Sequence, residues 1–437
     1  MPVLMAIVCV FLASYGYNKT KFVLNPITAM FGMWALILPF SCWGFYGTII
    51  PDANVYIIIT IGLIGYCVGT ILGMKPVNFC FKNFKGFGGK KYKFNYTLIY
   101  ILGSISLLYY LSQMVIVIKL LISGYDYEYI RLLSISTEEN VLRSSAVVTM
   151  TKAFIATPMS YLALALFPLE LLKKDKKIIA LIIYICLMLG YIITTGGRSV
   201  LLWFGLYFGM VFLLRKKKMN WKNFKKFIRK YRGIMLLGGV GLVAILLKMT
   251  FARKGSDVDL IKQMYIYFVC PLHNFNYHLN VVNNSKMYGY GLSSFYGLLY
   301  PILFLLQHLG INVFTPYVER IYNMSFQDLQ MGYDIGGGIY MNAFVTAFYQ
   351  PYLDARYLGV LIVLFIFGYA SGRFFYNAYY KNNIKSLLIY MLLLQKIIFS
   401  YVRFYFTQQA QSICFILAFL VIVKCTVNDS EEKVIKF

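Results

Sequence analysis

Apolar runs long enough to cross a bilayer recur from one end of this chain to the other, and short basic segments separate them. The mean hydropathy is +0.67 and 60% of the residues are hydrophobic, which exceeds what a soluble core inside a charged shell reaches. The sequence therefore predicts an all-α, polytopic membrane bundle, with residues 1–437 as a single integral membrane domain. Windows of about 20 apolar residues predict spans near 2–17, 27–47, 55–74, 96–118, 145–171, 178–195, 199–214, 233–250, 357–379, 384–401 and 411–425.

The basic residues indicate how these spans are oriented. The net charge is +26, yet the Lys and Arg residues lie mainly in short segments between apolar runs, the pattern that orients membrane helices. Residues 215–232 contain ten Lys/Arg and no acid, and residues 75–93 contain six Lys and no acid. We therefore expect these loops to face the cytoplasm, the N-terminus to lie outside, and no nucleic-acid partner. The run 2–17 lacks a basic n-region and a cleavage pattern, so we interpret it as an uncleaved span.

Residues 251–356 form a segment too long for an ordinary connection, and it lies outside under this topology. The segment is rich in aromatic residues and holds six of the 16 carboxylates, so it is not typical of a disordered loop. Its apolar stretches near 264–272, 292–309 and 335–350 predict interfacial helices, a re-entrant hairpin or two further spans. The predicted count is therefore 11 to 13 spans with one large outer loop.

Neither the cysteines nor the histidines predict a metal site or a cofactor. The eight cysteines lie mostly inside apolar runs and form no CxxC pair. His273 and His278 are five positions apart, which places them neither on one helical face nor at the spacing of zinc proteases. We expect no metal and no cofactor.

Arg198 stands between two apolar runs, in the stretch "TTGGRSVLL" at residues 194–202. An arginine at the centre of a membrane helix costs roughly 2.5–3.5 kcal/mol on insertion scales, but Gly196 and Gly197 predict a short outer turn here. Either Arg198 and other outward cations reach the interface separately, or they share a polyanionic ligand such as a lipid-linked phosphate or pyrophosphate. The other cations at or near predicted outer helix ends are Lys119, Lys152, Lys248 and Arg253.

Asp354 follows Pro351 and comes just before a long apolar run, at the predicted outer end of that span. A carboxylate at a helix N-terminus is favoured by the helix dipole, so Asp354 is a cap, or else a general base or an orienting group for a sugar hydroxyl. Tyrosines are dense in 251–356, and their rings fit the apolar face of a sugar as well as they fit a membrane interface.

The layout of the chain and two short segments resemble the bacterial oligosaccharide repeat unit polymerases of the O-antigen or capsule (Wzy) type. Residues 195–199, "TGGRS", are similar to the Thr-Gly-Ser-Arg turn of that family. The stretch from Asn342 through Thr346, Asp354 and Gly359 is similar to its "N..T.F...Y.DFG..G" segment.

The chain departs from this family at two points. Ala355 and Arg356 replace the Phe-Gly that follows the aspartate, which puts the conformation of the local turn in question. A convincing pair of Arg-x10-Gly motifs, which some members carry in outer loops, is not found.

The resemblance implies glycosyl transfer at the outer face of a bacterial cytoplasmic membrane, without a metal. A glycan on undecaprenyl pyrophosphate would move onto the terminal sugar of a new lipid-linked repeat unit, with a chain-length regulator left open as a further partner. Cations would neutralise the leaving pyrophosphate, and a carboxylate would accept the proton of the acceptor hydroxyl. The candidates are Arg198, Arg253, Lys248 and Lys152 for pyrophosphate, Asp354, then Asp334 and Glu319 for the base, and Arg320, Arg356 and Tyr333 for the glycan.

Three other functions stay open from the sequence. An O-antigen ligase would use the same donor with a different acceptor, and the sequence separates it poorly from a polymerase. A lipid-linked oligosaccharide flippase is a transporter, a class that tends toward internal repeats and midplane sites, neither of which is evident here. A sugar acyltransferase would be expected to carry a His–acid pair, and none of the three histidines is in one.

Overall fold

The computed structural model describes residues 1–75, 92–135, 141–143, 145–171, 173, 175–197, 199–218 and 259–424. The predicted span 233–250 therefore lies outside the described residues. The helices of the described part are α1 Pro2–Thr20, α2 Pro26–Phe40, α3 Ala53–Gly73, α4 Tyr96–Ile122, α5 Tyr127–Ile135, α6 Ala146–Thr151, α7 Thr157–Leu171, α8 Ile178–Thr195, α9 Ser199–Lys218, α10 Leu260–Phe268, α11 Cys270–Ser285, α12 Tyr296–His308, α13 Pro316–Tyr322, α14 Tyr349–Tyr380, α15 Ile384–Ile398 and α16 Gln409–Val421. The strands are β1 Tyr92–Phe94, β2 Tyr333–Asp334, β3 Tyr340–Met341 and β4 Ile422–Lys424, paired antiparallel as β1 with β4 and β2 with β3.

The prediction of an all-α chain with membrane-spanning helices is confirmed at this level. Helical structure forms the greater part of each predicted span that falls in the described residues, although the helices of spans 384–401 and 411–425 end early, at Ile398 and Val421. Within that part, six helical stretches are long and apolar enough to cross a membrane: Pro2–Thr20, Ala53–Gly73, Tyr96–Ile122, Ala146–Leu171, Ile178–Thr195 and Tyr349–Tyr380. The predicted span 27–47 was too long, because α2 ends at Phe40 and Gly44 adopts a left-handed conformation with φ 56°.

The described part of 251–356 consists of short helices and turns. Its longest helix before Tyr349 is α11, with 16 residues. The apolar stretch near 335–350 is mainly a turn between β2 and β3 followed by an irregular segment, and it becomes helical only at Tyr349.

The chain divides into two compact units, of which the first comprises Met1–Gly88 and Asp259–Ser412. In this unit α3 and α14 approach each other backbone to backbone through glycines. A Cβ added to Gly69 would lie 2.1 Å from the Phe365 carbonyl oxygen, and one added to Gly368 would lie 2.2 Å from the Tyr66 carbonyl oxygen. Small residues at four-residue spacing allow such contact between apolar helices, where dispersion rather than water exclusion stabilises the pair.

Trp34 of α2 connects two irregular segments of the first unit. Its indole Nε1 donates to Ser400 Oγ at 3.0 Å, and its ring packs edge-on against Phe348 at 5.2 Å between centroids. Because Trp34 and Phe348 are fully buried, residues near 348 and 400 are fixed against the helices.

The second unit comprises Gly89–Val258 and Ile413–Phe437. In it α4 packs on α8, where a Cβ on Gly190 would come within 2.8 Å of the Tyr110 side chain. Glu170 of α7 is 1% exposed, and its carboxylate accepts from the Tyr96 hydroxyl and pairs with Lys173, both at 2.9 Å. These paired groups satisfy a buried carboxylate that would otherwise be costly.

Candidate functional site

Three irregular segments of the first unit pack together, and we call residues 286–297, 323–348 and 399–408 the loop cluster. The backbone N–H groups of Val345 and Thr346 both donate to the Val402 carbonyl, at 3.0 and 3.1 Å. The hydroxyl of Ser325 donates to that of Ser293 at 2.7 Å. These bonds connect 323–348 to each of the other two segments. They do not connect 286–297 to 399–408.

Gly297 supplies that remaining junction. A Cβ at this position would lie 2.6 Å from the carbonyl oxygens of both Phe406 and Gln408. Only glycine therefore allows the start of α12 to approach the 399–408 segment this closely.

The Asp354 carboxylate is buried against the turn that precedes α12. It is 2% exposed, and its two oxygens accept from the backbone N–H groups of Ser293 at 2.9 Å and Ser294 at 2.8 Å. A backbone hydrogen bond joins the same two segments, because Gly289 N–H donates to the Leu353 carbonyl at 2.9 Å. A Cβ at Gly289 would meet Asp354 Oδ1 at 2.2 Å, so a side chain there would displace the carboxylate.

These contacts favour the capping alternative for Asp354, with one difference from the sequence interpretation. Asp354 caps the turn before α12 rather than the span that follows it in the chain. Its own helix, α14, begins five residues earlier at Tyr349 and is interrupted at Ala355 and Arg356, whose backbone angles are not helical. The predicted role as a general base stays a prediction.

Arg356 sits at this interruption with φ 52° and ψ −135°, a conformation that L residues other than glycine rarely adopt. Its Nη2 donates to the carbonyls of Val282 and Met287, each at 3.0 Å. The guanidinium lies between two tyrosine rings, 4.7 Å from the centroid of Tyr288 and 5.4 Å from that of Tyr352. Its buried Nη1 has no hydrogen-bond partner in the described part of the chain.

Tyr333 belongs to a group of rings around His278. Its ring lies 4.2 Å from that of Tyr277 and 5.1 Å from the imidazole of His278, which in turn is 5.9 Å from the ring of Tyr349. His278 is 2% exposed, and burial lowers the pKa of its imidazole to about 4. Tyr277 is 39% exposed, so this group presents an aromatic face outside the core.

The other acidic and basic candidates in this unit are exposed. Asp334 Oδ1 accepts from the Gly336 N–H at 2.8 Å in a tight turn, and Glu319 lies in the first turn of α13. Arg320 forms a surface ion pair with Asp328 at 3.3 Å. Exposed pairs of this kind contribute little to stability, so these side chains are free to contact a ligand.

The remaining candidates belong to the second unit. Lys152 lies on a π-helical turn at Lys152–Ala156, and its Nζ donates to the Ser134 carbonyl at 2.6 Å. The predicted turn between α8 and α9 is present, with Gly196 ending α8 at φ 62°. Arg198, Lys248 and Arg253 lie outside the described residues.

Two basic residues near the loop cluster were missed. Arg403 lies in the short segment between α15 and α16, with its guanidinium 5.3 Å from the ring centroid of Phe344. Lys396, in the last turn of α15, is 3% exposed and donates to Gln411 Oε1 at 2.8 Å. The argument that singled out Arg198, a cation at a short outer turn, applies equally to Arg403 and would have found it.

No group of three or more His, Cys, Asp or Glu side chains suited to a metal ion occurs in the part of the chain that the structure describes. Comparison of the chain with protein-family models, with curated proteins and with solved structures finds no match.

Proposed function

We propose that this protein is a glycosyltransferase of the bacterial cytoplasmic membrane that polymerises undecaprenyl-pyrophosphate-linked repeat units into O-antigen or capsular polysaccharide. The reaction takes place at the outer face, and 11 to 13 spans with a large outer loop, 251–356, surround it.

One observation carries the proposal: three basic side chains lie buried or half-buried in and beside the loop cluster. Lys396 is 3% exposed, and Arg356 and Arg403 are only partly exposed. In the proposed topology these side chains lie at outer helix ends, where cations are disfavoured, and an anionic ligand would stabilise them there. A lipid-linked pyrophosphate meets this requirement, because its charge lies at the depth of the helix ends.

The backbone at Arg356 and Gly359 supports the resemblance to repeat unit polymerases. The glycine of the family's Asp-Phe-Gly falls at Arg356, whose φ of 52° and ψ of −135° favour glycine. A Cβ at Gly359 would lie 2.2 Å from the Pro351 carbonyl oxygen, so glycine is required there too. This chain therefore has a backbone conformation that suits the family's motif. It carries the arginine side chain at the position where the family has glycine.

The proposed mechanism separates positioning from chemistry. Asp354 holds the turn before α12, and the basic groups neutralise the charge that develops on the departing pyrophosphate. A carboxylate accepts the proton of the acceptor hydroxyl. Of the three candidates, Asp334 and Glu319 are exposed, whereas both oxygens of Asp354 already accept backbone hydrogen bonds.

The rings of Tyr277 and Tyr333, which pack at 4.2 Å between centroids with a tilt of 30°, suit the glycan. Aromatic faces bind the apolar face of a sugar, and exposed hydroxyls beside them bind its edges. Arg320 lies on α13 in the same large loop and offers a fork for sugar hydroxyls or phosphate.

The gel profile of surface glycan in cells that lack the native gene tests the proposal. We expect the deletion to leave glycan of a single repeat, and the wild-type gene to restore a ladder. Arg198→Ala should abolish the ladder and Arg198→Lys should restore it only in part, because a point charge does not replace a bidentate fork. Lys381→Ala, at an exposed position after α14, is the control and should leave the ladder unchanged.

The same gel separates the rival functions. Unligated polymer after the deletion would identify a ligase. Loss of all surface glycan, with lipid-linked repeats retained on the cytoplasmic side, would identify a flippase. Either result would contradict a polymerase.

A further inference from the structure

A second group of polar side chains lies where α15 ends and α16 begins, and none of its members was singled out from the sequence. Lys396 Nζ donates to Gln411 Oε1 at 2.8 Å and to Gln395 Oε1 at 3.3 Å. The three side chains are 3%, 2% and 0% exposed respectively. We call Gln395, Lys396 and Gln411 the lysine–glutamine cluster.

The chemistry of lysine fixes how both carboxamides are oriented. An ammonium group only donates, so the atom of each glutamine that faces Lys396 is the oxygen and not the nitrogen. The nitrogens, Nε2 of Gln395 and Nε2 of Gln411, therefore point away from the ammonium. Both are buried and have no hydrogen-bond partner among the residues that the structure describes.

The cluster consequently holds a surplus of donors. Each carboxamide nitrogen carries two N–H groups. Outside the cluster, the Nε2 of Gln409 at the start of α16 is a further buried nitrogen without a partner among the described residues. Buried polar groups in native proteins are normally paired, so each exception calls for an explanation. The unpaired nitrogens of Gln395 and Gln411 belong to side chains that meet at one ammonium, and a ligand that supplies acceptors explains them.

The surroundings favour a negative ligand. The ammonium of Lys396 lies 5.9 Å from the ring centroid of Tyr405 and 5.7 Å from that of Phe406, in an environment of low polarity that strengthens electrostatic attraction. The cluster also lies at the beginning of α16, where the helix dipole is positive. A second cation would be repelled by the ammonium of Lys396, whose two glutamine acceptors are already used, and a sugar hydroxyl would bring donors of its own.

We propose that the lysine–glutamine cluster binds a phosphate oxyanion, with Lys396 neutralising its charge and the Nε2 groups of Gln395 and Gln411 donating to its oxygens. In naming a lipid-linked diphosphate as the natural occupant, the inference rests on the proposed function. All three residues of the cluster belong to the first unit. The proposed oxyanion site does not include Arg198, Lys248 or Arg253.

A substitution that preserves shape and reverses charge tests this assignment. Gln411→Glu keeps the oxygen that accepts from Lys396 and gives the ammonium a carboxylate partner, so the ligand-free protein should be as stable as the wild type or more stable. The same carboxylate repels a phosphate and removes two donors. We expect the affinity of the purified full chain in nanodiscs for undecaprenyl diphosphate to fall at least tenfold, while the melting temperature stays equal or rises.

The matched control is Gln330→Glu, which makes the same change at an exposed position in the large loop. It should leave affinity within twofold of the wild type. Lys396→Met, which removes the charge but keeps a long unbranched side chain, should also weaken binding at least tenfold and is decisive if Gln411→Glu does not fold. A fall of less than tenfold in folded Gln411→Glu or Lys396→Met, or no binding by the wild type, overturns the proposal.

Inorganic pyrophosphate, titrated against the same proteins, distinguishes the source of the phosphate. Tight binding of the lipid with at least tenfold weaker binding of the free anion identifies a lipid-linked ligand. Equal binding of both, lost in the same variants, identifies a site for free phosphate and overturns the lipid assignment.

The outcome is also distinguishable from failure of the proposed function. If Gln411→Glu loses binding while the wild type forms no polymer from lipid-linked repeats, the oxyanion site stands and the polymerase does not. If both proteins polymerise and bind equally, the polymerase stands and the oxyanion site does not.

Discussion

The Asp354 carboxylate accepts a hydrogen bond of 2.8 Å from the backbone N–H of Ser294, sixty residues earlier in the chain. Both residues are buried, so this bond joins the second turn of α14 to the turn before α12 without competition from water. Asp354 therefore holds together two segments that the sequence separates widely.

Asp354→Asn should lower stability as well as polymer formation. The asparagine has one acceptor oxygen, so its NH2 group faces one of the two backbone N–H donors, and an unmet buried bond costs about 1–3 kcal/mol. Thermal unfolding of the purified protein measures the loss, with Asp334→Asn at an exposed turn as the control. A stable but inactive Asp354→Asn protein would contradict the anchoring role and favour Asp354 as the base.

Replacing Arg356 by glycine should be less damaging than replacing it by alanine. Both changes remove the same guanidinium contacts, but only glycine adopts φ 52° and ψ −135° without strain. We expect Arg356→Gly to unfold at the higher temperature, by a difference worth about 1–3 kcal/mol. Equal stability of the two variants would show that the break at Arg356 is absent from the protein in a membrane.

Gly69→Ala should separate α3 from α14. The added methyl group would lie 2.1 Å from a backbone oxygen of Phe365, which cannot rotate away. Overpacking of this kind costs about 1–3 kcal/mol. Gly32→Ala on α2 is the matched control, because a Cβ there meets nothing within 4 Å and alanine favours a helix. Thermal unfolding of both variants checks the packing, and equal melting temperatures would contradict it.

His278 should make the protein less stable as the pH falls. Burial lowers the pKa of His278 from 6.5 to about 4, so the folded protein keeps the imidazole neutral while the unfolded chain protonates it. His278 therefore does not change the free energy of unfolding above pH 6.5. Its effect lowers that free energy progressively between pH 6.5 and 4 and stays constant below pH 4. The total is about 3 kcal/mol, from roughly 1.4 kcal/mol for each pKa unit.

Unfolding of the wild type and of His278→Gln across this range isolates the effect. The pKa of His273 is also lowered by burial, so both proteins lose some stability in acid, and the comparison rests on the difference between them. We expect that difference to grow in favour of His278→Gln as the pH falls. A constant difference between pH 7 and pH 4 would show that His278 is not buried in its neutral form.

The helices were predictable because the length and hydropathy of a span are local properties. Even the close contact of α3 with α14 has a local signal, since Gly65, Gly69 and Gly73 recur at four-residue spacing. The end of α2 at Phe40 was not predictable, because the apolar run continues to residue 47 and the chain turns through left-handed backbone at Gly44, Tyr46 and Gly47.

The candidate site was predicted only in part. Asp354 and Arg356 were identified, but the partner of Asp354 was not, because hydropathy patterns do not show which distant turns meet. Lys396 was not identified because it lies inside a predicted span, 384–401, and a single charge does not change the prediction of a helix there. Its proposed role depends on its hydrogen bond with Gln411, which is 15 residues later in the chain, and hydropathy patterns do not predict such contacts.

Reconstitution tests the central claim most directly. The purified protein, incorporated into proteoliposomes and supplied with undecaprenyl-pyrophosphate-linked repeat units, should yield a ladder of longer glycans and release undecaprenyl pyrophosphate. Gln411→Glu should give a shortened ladder, and Gln330→Glu an unchanged one. Repeat units that cross the bilayer but stay at their original length would contradict a polymerase and identify a carrier.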